Sequence, residues 1–250
     1  MKISIITVCF NSEAHVADAL RSVEAQTWPD IEHLVVDGAS RDGTLRIVQA
    51  HARPWRRVVS EADRGIYDAM NKGIAMAQGE VVGLINSDDF YASPDVLTSV
   101  AKAFDDPSVD ACYGDLCYVK RDDSGSVVRY WRSSPFRPGL FTKGWAPPHP
   151  TLFVRRRIFE RLGSFDLQYR TAADLELMVR LLEVHRIRSR YLPEVLVKMR
   201  TGGTTGWPNV LRQNVEIWRA LRAHGLQPSF GSFVAGKLWS RGKQFLTRPV

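Results

Sequence analysis

The first 120 residues alternate between short apolar runs rich in Val and Ile and amphipathic segments of helical length. The apolar runs predict strands at 3–8, 31–36, 57–60 and 81–85. Helices are predicted between and after them, at 12–26 with Ser12 as the cap, 42–51, 66–78 and 94–104. Strands separated by helices are typical of a doubly wound, mostly parallel sheet. The alternation therefore predicts an α/β fold whose first half is Rossmann-like.

The pattern changes near residue 110. Two runs at 110–119 and 127–131 predict a hairpin, and a long loop rich in Pro, Gly and aromatic residues follows at 133–148. Further strands are predicted at 151–154, 188–191 and 195–199. A short helix is predicted to end near 162, and three further helices are predicted at 173–183, 209–224 and 230–246. We predict a domain at 1–207, with halves at 1–120 and 121–207, and a basic helical extension at 208–250.

Composition excludes several classes of protein. The chain has 250 residues, of which 44% are hydrophobic and 24% charged, as is ordinary for a globular domain. No apolar run approaches the roughly 20 residues of a membrane span, and the N-terminal run is too short and too β-branched for a signal peptide. Cys9, Cys112 and Cys117 match no zinc spacing and are expected to be reduced thiols, which favours a cytoplasmic location.

Polar clusters follow three of the predicted strands, at 9–12, 37–40 and 86–89. In open α/β sheets, ligands bind beyond the carboxyl ends of the strands, so the clusters predict one binding site. Asp88 and Asp89 are adjacent carboxylates after a buried strand, and both repulsion and burial make that arrangement costly. A hard cation such as Mg²⁺ or Mn²⁺ would relieve the repulsion, although a helix N-cap would also explain the pair.

Other residues could contact a nucleotide. Asp37 could accept hydrogen bonds from a base or a sugar, or it could cap a turn. Asp63 and Arg64 precede a predicted helix, where backbone N–H groups favour anions, although helix capping and a solvated face would also explain them. Gly203 and Thr204, in a Gly-Gly-Thr-Thr segment, would permit close approach to a phosphate.

The second half of the chain supplies candidates for the side of the site that would hold the acceptor of a transferred group. Asp174, near the start of a helix, could take a proton from a hydroxyl group or stabilise the helix N-terminus. His149, between two prolines, could be a ligand contact or a structural histidine. Trp145 lies in the loop at 133–148, which we expect to shape the acceptor side.

Taken in order, these segments resemble the family 2 glycosyltransferases of the GT-A fold over about residues 2–205. The resemblance rests on 4–11, 36–44, 60–73, 84–89, 149–153, 163–166 and the Asp174 helix. The block at 65–73 looks most like the bacterial exopolysaccharide enzymes of the colanic-acid type. The resemblance implies a nucleotide-sugar half at 1–120, a smaller mixed-sheet acceptor half at 121–207, and C-terminal helices.

The resemblance also implies a reaction and roles. The reaction is an inverting transfer of a sugar, from a UDP- or GDP-linked donor to a hydroxyl of a glycan or polyprenyl-linked acceptor, in cell-surface polysaccharide biosynthesis. Asp174 would be the base, and Asp89 would bind Mn²⁺ or Mg²⁺ with Asp88, which could instead contact the ribose. The residues implied to hold the base and ribose are Thr7, Asn11, Asp37 and Asp63.

Two positions depart from the family pattern. Asn86-Ser87-Asp88-Asp89 stands where the family carries Asp-x-Asp, so one potential metal ligand is changed. Ala173 stands where a Glu frequently precedes the base, so Asp174 alone carries that role.

The C-terminal extension is strongly basic. The net charge is +7, and the only acid in 208–250 is Glu216, against seven Lys and Arg residues. The helix at 230–246 mixes apolar and basic residues, which predicts either peripheral binding to an anionic membrane surface, on the inner face of the cytoplasmic membrane, or packing on the catalytic domain. Nucleic acid is not an expected partner.

Two alternative functions compete with the transferase. A nucleotidyltransferase would be expected to carry a Gly-rich, Lys- or Arg-bearing loop after the first strand, and 9–12 has none. A degenerate transferase core, acting as a basic protein that binds membrane or nucleic acid, is disfavoured by the presence of Asp37, Asp89 and Asp174. The sequence also has no G-x-G-x-x-G, P-loop or G-x-S-x-G motif.

Overall fold

The computed structural model describes residues 1–202 and 207–246. Four parallel strands lie in the order β3-β2-β1-β4. They are β1 (Ile3–Cys9), β2 (Ile31–Asp37), β3 (Arg56–Ser60) and β4 (Val81–Asn86). The helices between and after them are α1 (Val16–Glu24), α2 (Thr44–Ala50), α3 (Ile66–Met76) and α4 (Val96–Ala103). The predicted alternation of strands and helices is confirmed.

The rest of the chain extends the same sheet with mixed strand directions. The added strands are β5 (Phe90–Tyr91), β6 (Ala111–Val119), β7 (Val127–Trp131), β8 (Phe153–Arg155) and β9 (Ser189–Arg200). The order is β3-β2-β1-β4-β8-β6-β9-β5, and β7 pairs with β6. Because β8 is antiparallel to both β4 and β6, it joins the parallel half to the mixed half. The predicted α/β class and the predicted hairpin at β6 and β7 are confirmed.

Among the described residues, four α-helices belong to the second half of the chain, two of them between its strands and two after the last strand. They are α5 (Arg156–Leu162), α6 (Ala173–Met178), α7 (Trp207–Ala223) and α8 (Phe230–Leu246). A π-helical segment, Val179–Val184, continues α6, and two 3₁₀ turns cover Phe141–Lys143 and His149–Thr151. The sheet continues across residue 120, since β6 pairs with both β8 and β9. The boundaries at 120 and 207 stay predictions.

The core lies on both faces of the sheet because successive strand residues point to opposite sides. On β1, Ile5 belongs to a cluster with Val81 and Leu97, whereas Ile6 belongs to a cluster with Leu34 and Met70. All six side chains are buried. Burial of each such side chain contributes about 2 kcal/mol, so both faces hold the strands, and with them their carboxyl ends, in a fixed arrangement.

Three details differ from the predicted elements. The first helix starts at Val16 rather than at Ser12, whose hydroxyl bonds to the Phe10 carbonyl and to Ser87 instead. The segments at 188–191 and 195–199 form one strand, because register shifts on β6 near Asp115 accommodate the irregular stretch between them. The two-residue β5 was missed, since a strand of that length carries no periodicity.

The helix α8 packs on the catalytic body through a very close backbone approach. A Cβ atom on Gly236 would lie 3.0 Å from the carbonyl carbon of Lys143 and would overlap its oxygen. A Cβ on Gly144 would lie 2.7 Å from the Phe233 carbonyl oxygen. Gly144 also has a φ of 76°, which favours glycine. Of the two arrangements predicted for this helix, packing on the core is confirmed, and membrane binding stays a prediction.

Within the described ranges, no helix is both long enough and apolar enough to cross a bilayer.

Candidate active site

The carboxyl ends of β1, β2 and β4 meet at one edge of the sheet. The register places Cys9 opposite Asp37, and Val8 opposite Asn86. Hydrogen bonds also join the loops that follow: the Asn11 N–H donates to the Ser40 hydroxyl over 2.8 Å, and the hydroxyls of Ser12 and Ser87 are 2.8 Å apart. The three polar clusters identified in the sequence therefore lie together, as predicted from the parallel sheet.

Asp37 organises this edge from inside it. Its carboxylate is fully buried and accepts hydrogen bonds from the Ser40 N–H (2.9 Å), the Ser40 hydroxyl and the Ser60 hydroxyl (2.6 Å). Burial, together with the neighbouring Asp37 carboxylate, raises the pKa of the Cys9 thiol well above its usual range. In this conformation Asp37 holds the loops after β2 and β3 in place and has no surface left for a base or a ribose.

Thr7 is also enclosed by the sheet. Its side chain is fully buried, and its hydroxyl lies 2.8 Å from Nε2 of His33 on β2. Burial, with Arg56 beside the ring, lowers the pKa of His33 well below its usual range, so the imidazole is neutral. The sequence placed Thr7 in contact with the nucleotide, whereas the structure gives its side chain no accessible surface.

Phe10, Gly38 and Asp63 lie together beside Asp37 and form a cradle at the edge of the sheet. A Cβ on Gly38 would lie 2.5 Å from a carboxylate oxygen of Asp63 and 3.3 Å from the Phe10 ring, so glycine permits this close packing. Asp63 is half-buried, and Phe10 is 62% exposed. A flat apolar ring beside a carboxylate can stack on a nucleobase and accept its N–H groups. Sequence reasoning missed Phe10, although an aromatic residue directly after a strand was a usable signal.

Asn11 and Arg64 are at the rim of the cradle. Asn11 has a φ of 48°, and its side-chain oxygen accepts a hydrogen bond from the Arg41 N–H over 2.9 Å. Arg64 is exposed and donates to Asp68 over 2.9 Å. Hydrogen bonds from Arg64 lower the pKa of Asp68, which lies in the first turn of α3 and also accepts a hydrogen bond from the Arg64 N–H. Both residues are accessible to a ligand, and their predicted contacts stay predictions.

The structure separates the two carboxylates that follow β4. Asp88 is partly exposed, whereas Asp89 is fully buried and accepts a hydrogen bond from the Asn86 side chain over 3.1 Å. Burial, with the Asp88 charge beside it, raises the pKa of Asp89 to about 8. The Asp89 carboxyl therefore holds a proton at neutral pH in the ligand-free protein.

Several buried polar atoms around this pair have no partner among the described residues. They are Oδ1 of Asn86, Oδ1 of Asp89 and Nε of Arg200. Arg200, at the end of β9, donates to the Asp88 carbonyl oxygen over 2.8 Å and also pairs with Asp18. Burial, followed by the charges of Arg200 and Arg121, lowers the pKa of His15. Sequence reasoning missed Arg200 because it is more than 100 positions from the acidic pair.

The donor set fits a hard divalent cation. Unpartnered amide and carboxyl oxygens, with the accessible Asp88 carboxylate, are the ligand type that Mg²⁺ and Mn²⁺ prefer. Within the described residues, however, no group of three or more His, Cys, Asp or Glu side chains is placed to hold an ion.

Asp174 lies in the first turn of α6, where two side chains contact its carboxylate. The Tyr67 hydroxyl donates to Oδ1 over 3.0 Å, and Nδ1 of His149 lies 3.1 Å from Oδ2. Burial, followed by the Asp174 charge, raises the pKa of Tyr67 well above its usual range, so Tyr67 remains a proton donor. The Asp174 side chain is 16% exposed, which leaves it accessible to a hydroxyl group. The sequence predicted Asp174 and His149 separately, and the structure brings them together.

The neighbouring Glu176 has a structural role. It is buried and pairs with Arg180 over 2.8 Å and with His224, directly after α7, over 2.8 Å. Burial works to raise its pKa, but the hydrogen bonds from His224 and Arg180 hold the pKa of Glu176 below its usual range. In the same region, Glu216 of α7 accepts a hydrogen bond from the Thr171 N–H over 2.7 Å. The C-terminal extension thus holds both ends of the turn that presents Asp174.

A cavity of about 580 Å³ opens beside Asp174. Its wall includes β6, β7, the 141–150 segment, α6, α7 and α8. Trp145, predicted on the acceptor side, lines it together with Phe141, and the two rings pack edge to face 5.4 Å apart. Gly203 and Thr204, predicted near the diphosphate, lie outside the described residues.

Comparisons with known proteins identify the family of this chain. The protein-family model for glycosyl transferase family 2 matches residues 4–163. A Mycobacterium tuberculosis protein named as an uncharacterized glycosyltransferase is 32% identical over 180 residues, which cover 71% of this chain and 68% of that protein. A Mycobacterium bovis protein named PGL/p-HBAD biosynthesis glycosyltransferase is 32% identical over 206 residues, which cover 77% and 74% of the two chains.

Solved structures share the fold. S. aureus TarS 1-349 in complex with UDP-GlcNAc superposes with a TM-score of 0.71 at 20% identity, over 98% of this chain and 72% of that one. The mannosyltransferase PcManGT from Pyrobaculum calidifontis, in complex with GDP-Man and Mn²⁺, gives 0.69 at 23% identity, over 96% and 69%. The chain spans 39% of another, longer S. aureus TarS structure, with a TM-score of 0.66.

The fold is that of the GT-A glycosyltransferases. The chain belongs to glycosyl transferase family 2 and is an enzyme of the glycosyltransferase class. The fold class and family expected from the sequence are confirmed, and family membership favours the transferase over both alternative functions. The resemblance to the colanic-acid type stays a prediction.

Proposed function

We propose that the protein transfers a sugar from a UDP- or GDP-linked donor to a hydroxyl group of a glycan or lipid-linked acceptor, with inversion at the anomeric carbon. The observation that carries the proposal is the arrangement of two sites on one sheet. The strand-end edge presents Phe10, Asp63 and Asp88, and the carboxylate of Asp174 faces a cavity next to it. Relatives whose structures contain UDP-GlcNAc, or GDP-Man with Mn²⁺, support a donor of this class.

The sugar would be transferred in a single displacement, with Asp174 as the base and with Tyr67 and His149 as the residues that orient it. The acceptor O–H gives its proton to the Asp174 carboxylate as the new C–O bond to the sugar forms, and the bond between the sugar and the diphosphate breaks. The nucleoside diphosphate leaves with the electron pair of the broken bond. Tyr67 and His149 hold the Asp174 carboxylate in one orientation, which favours a reactive geometry.

The residues that follow β4 would bind the diphosphate of the donor through a cation. A divalent cation held by Asp88 and the oxygens of Asn86 and Asp89 would neutralise charge on the leaving group. Asp88 is the carboxylate that a ligand can reach directly, because Asp89 is fully buried. Arg200 adds a fixed positive charge beside Asp88. We assign the base and ribose to the cradle of Phe10, Gly38 and Asp63, with Asn11 and Arg64 at its rim and Asp37 holding the loops in place.

The same proposal includes a place for the enzyme in the cell. Leu238 and Trp239 of α8 are 67% and 68% exposed, on a helix that also carries basic residues. Apolar side chains on a basic helix favour binding to an anionic membrane surface. We therefore propose peripheral membrane attachment and a role in cell-surface polysaccharide biosynthesis, for which a lipid-linked acceptor is suited.

Calorimetric titration with UDP and GDP, each with and without Mn²⁺, tests the donor site. We expect one nucleotide to bind, with at least tenfold higher affinity when Mn²⁺ is present. Asp88→Asn should remove most of the Mn²⁺ effect, and Asp95→Asn, in the exposed turn before α4, is the matched control. Absence of binding by both nucleotides in all conditions would contradict the proposed function.

A further inference from the structure

The cavity beside Asp174 has a largely apolar wall. Away from Asp174 and His149, its wall is formed largely by Trp131, Phe141, Leu175, Met178, Met199 and Ile217. A volume of about 580 Å³ is in the range of pockets that enclose small organic ligands. Apolar walls favour an apolar occupant, because water in such a space makes few hydrogen bonds.

One polar group in the cavity wall has no partner. Gln244 of α8 lines the cavity and is 5% exposed, and its Oε1 atom has no hydrogen-bond partner in the described part of the chain. Leaving a buried amide oxygen unpaired destabilises a protein, so such a group is usually satisfied by a ligand or by water. Gln244 therefore indicates that the occupant of the cavity carries a hydrogen-bond donor as well as apolar surface.

The wall that carries Gln244 is fixed to the catalytic body. The contact of Gly236 with the Lys143 carbonyl, and of Gly144 with Phe233, sets α8 against the 141–144 turn. Lys237 donates to Asn214 of α7 over 2.6 Å, which joins the two C-terminal helices. The C-terminal extension thus completes the cavity into which Asp174 faces, and the site lacks one wall without it.

We propose that this cavity is the acceptor subsite and that it takes an acceptor with an apolar aglycone, whose reactive hydroxyl is at Asp174. This inference rests on the proposed function and names its acceptor class. The apolar group lies among the rings and aliphatic side chains of the cavity, while a donor group near it bonds to Gln244. An alkyl chain and an aryl ring share this chemistry.

Binding of simple glycosides to the UDP-loaded or GDP-loaded protein tests the inference. Methyl, hexyl, octyl and phenyl β-glucosides would be titrated below their micelle concentrations, with Trp fluorescence as the readout, since Trp131 and Trp145 line the cavity. We expect affinity to rise about two- to fourfold for each buried methylene group, so that hexyl glucoside binds at least tenfold more tightly than methyl glucoside. The phenyl compound shows whether the cavity prefers a ring or a chain.

Two variants locate the binding. Ala146→Leu, which adds volume in the cavity wall, should weaken hexyl glucoside at least fivefold, whereas Ala52→Leu, on an exposed turn after α2, should not. Gln244→Leu should weaken binding without lowering the unfolding midpoint, because the buried amide oxygen that it removes has no partner among the described residues. A structural Gln244 would instead lower the midpoint and leave binding unchanged.

The outcomes separate this inference from the proposed function. If the nucleotide binds but methyl and hexyl glucosides bind equally, or neither binds, the apolar subsite is wrong and the donor assignment stands. Equal effects of Ala146→Leu and Ala52→Leu would also overturn it. If the nucleotide does not bind, the proposed function fails first, independently of the glycosides.

Discussion

The three glycines of α8 allow a sharp test of how the C-terminal helix docks. A Cβ on Gly236 would overlap the Lys143 carbonyl oxygen, whereas a Cβ on Gly231 or Gly242 would meet no atom within 4 Å. The same chemical change, Gly→Ala, is therefore made at one blocked position and at two open positions of one helix. The difference between Gly236→Ala and Gly242→Ala reports docking, because both positions lie inside the helix and share the same intrinsic gain in helix propensity.

The expected magnitudes follow from these contacts. Replacing Gly by Ala in a helix interior stabilises it by about 1 kcal/mol, so Gly242→Ala should raise the free energy of unfolding by roughly 0.5–1 kcal/mol. At Gly236 the helix must move away from Lys143, and overpacking of this kind costs about 1–3 kcal/mol. The two variants should thus differ by the overpacking cost alone, about 1–3 kcal/mol in favour of Gly242→Ala, because the propensity gain is common to both. For a chain of this size this corresponds to roughly 2–12 °C in Tm.

Thermal and urea unfolding followed by circular dichroism measure this difference, and Gly231→Ala serves as the second control. Glycoside binding should also weaken in Gly236→Ala, because Gln244 and Phe245, which line the cavity, lie on the displaced helix. Equal stabilisation by all three substitutions would refute the reasoning, since it would mean that α8 does not lie against the 141–144 turn in solution.

Other predictions follow from the site and from the surface. Asp174→Asn should keep nucleotide affinity and lower kcat by about 10²–10⁴, and unimpaired turnover would exclude Asp174 as the base. The folded protein holds the Asp89 proton up to a pKa of about 8, while the unfolded chain releases it near 3.8, so stability should fall as pH rises between these values. Asp89→Asn should remove that slope and raise stability at pH 7 by up to about 4 kcal/mol, as measured by urea unfolding at pH 5 and pH 8; an unchanged slope would contradict the burial argument. Leu238→Ser combined with Trp239→Ser should reduce co-sedimentation with anionic vesicles severalfold and leave neutral vesicles unaffected, and equal binding by both proteins would contradict a membrane role for α8.

Sequence patterns predicted the parallel half of the sheet well. Apolar runs of four to eight residues between amphipathic helices leave few other folds, because each strand must be covered on both faces. The ends of β1, β2 and β4 then had to meet at one edge, so the grouping of Asn11, Asp37 and Asp88 was predictable. Sequence patterns could not tell which of these side chains reaches solvent, since adjacent strand-end residues point to opposite sides.

The mixed half was less accessible to sequence reasoning. Strand β9 was predicted as two strands, because a one-dimensional pattern does not show that bulges on β6 accommodate the irregular stretch. Arg200 and Tyr67 gave no local signal of a role, and each acquires one only by contact with a residue more than 100 positions away. Gln244 was indistinguishable from an exposed helical glutamine until α8 was placed on the core.

The sequence by itself determined the class of the fold, the edge at which ligands are predicted to bind and the carboxylates available there, since alternating strands and helices imply parallel strands whose carboxyl ends lie at one edge. Only the tertiary structure decided that Asp37 and Thr7 are buried supports, that Asp88 rather than Asp89 faces solvent, and that the C-terminal helix completes a cavity beside Asp174. The physical reason is that burial, and the pairing of charges and hydrogen bonds that burial requires, depend on contacts between segments far apart in the chain.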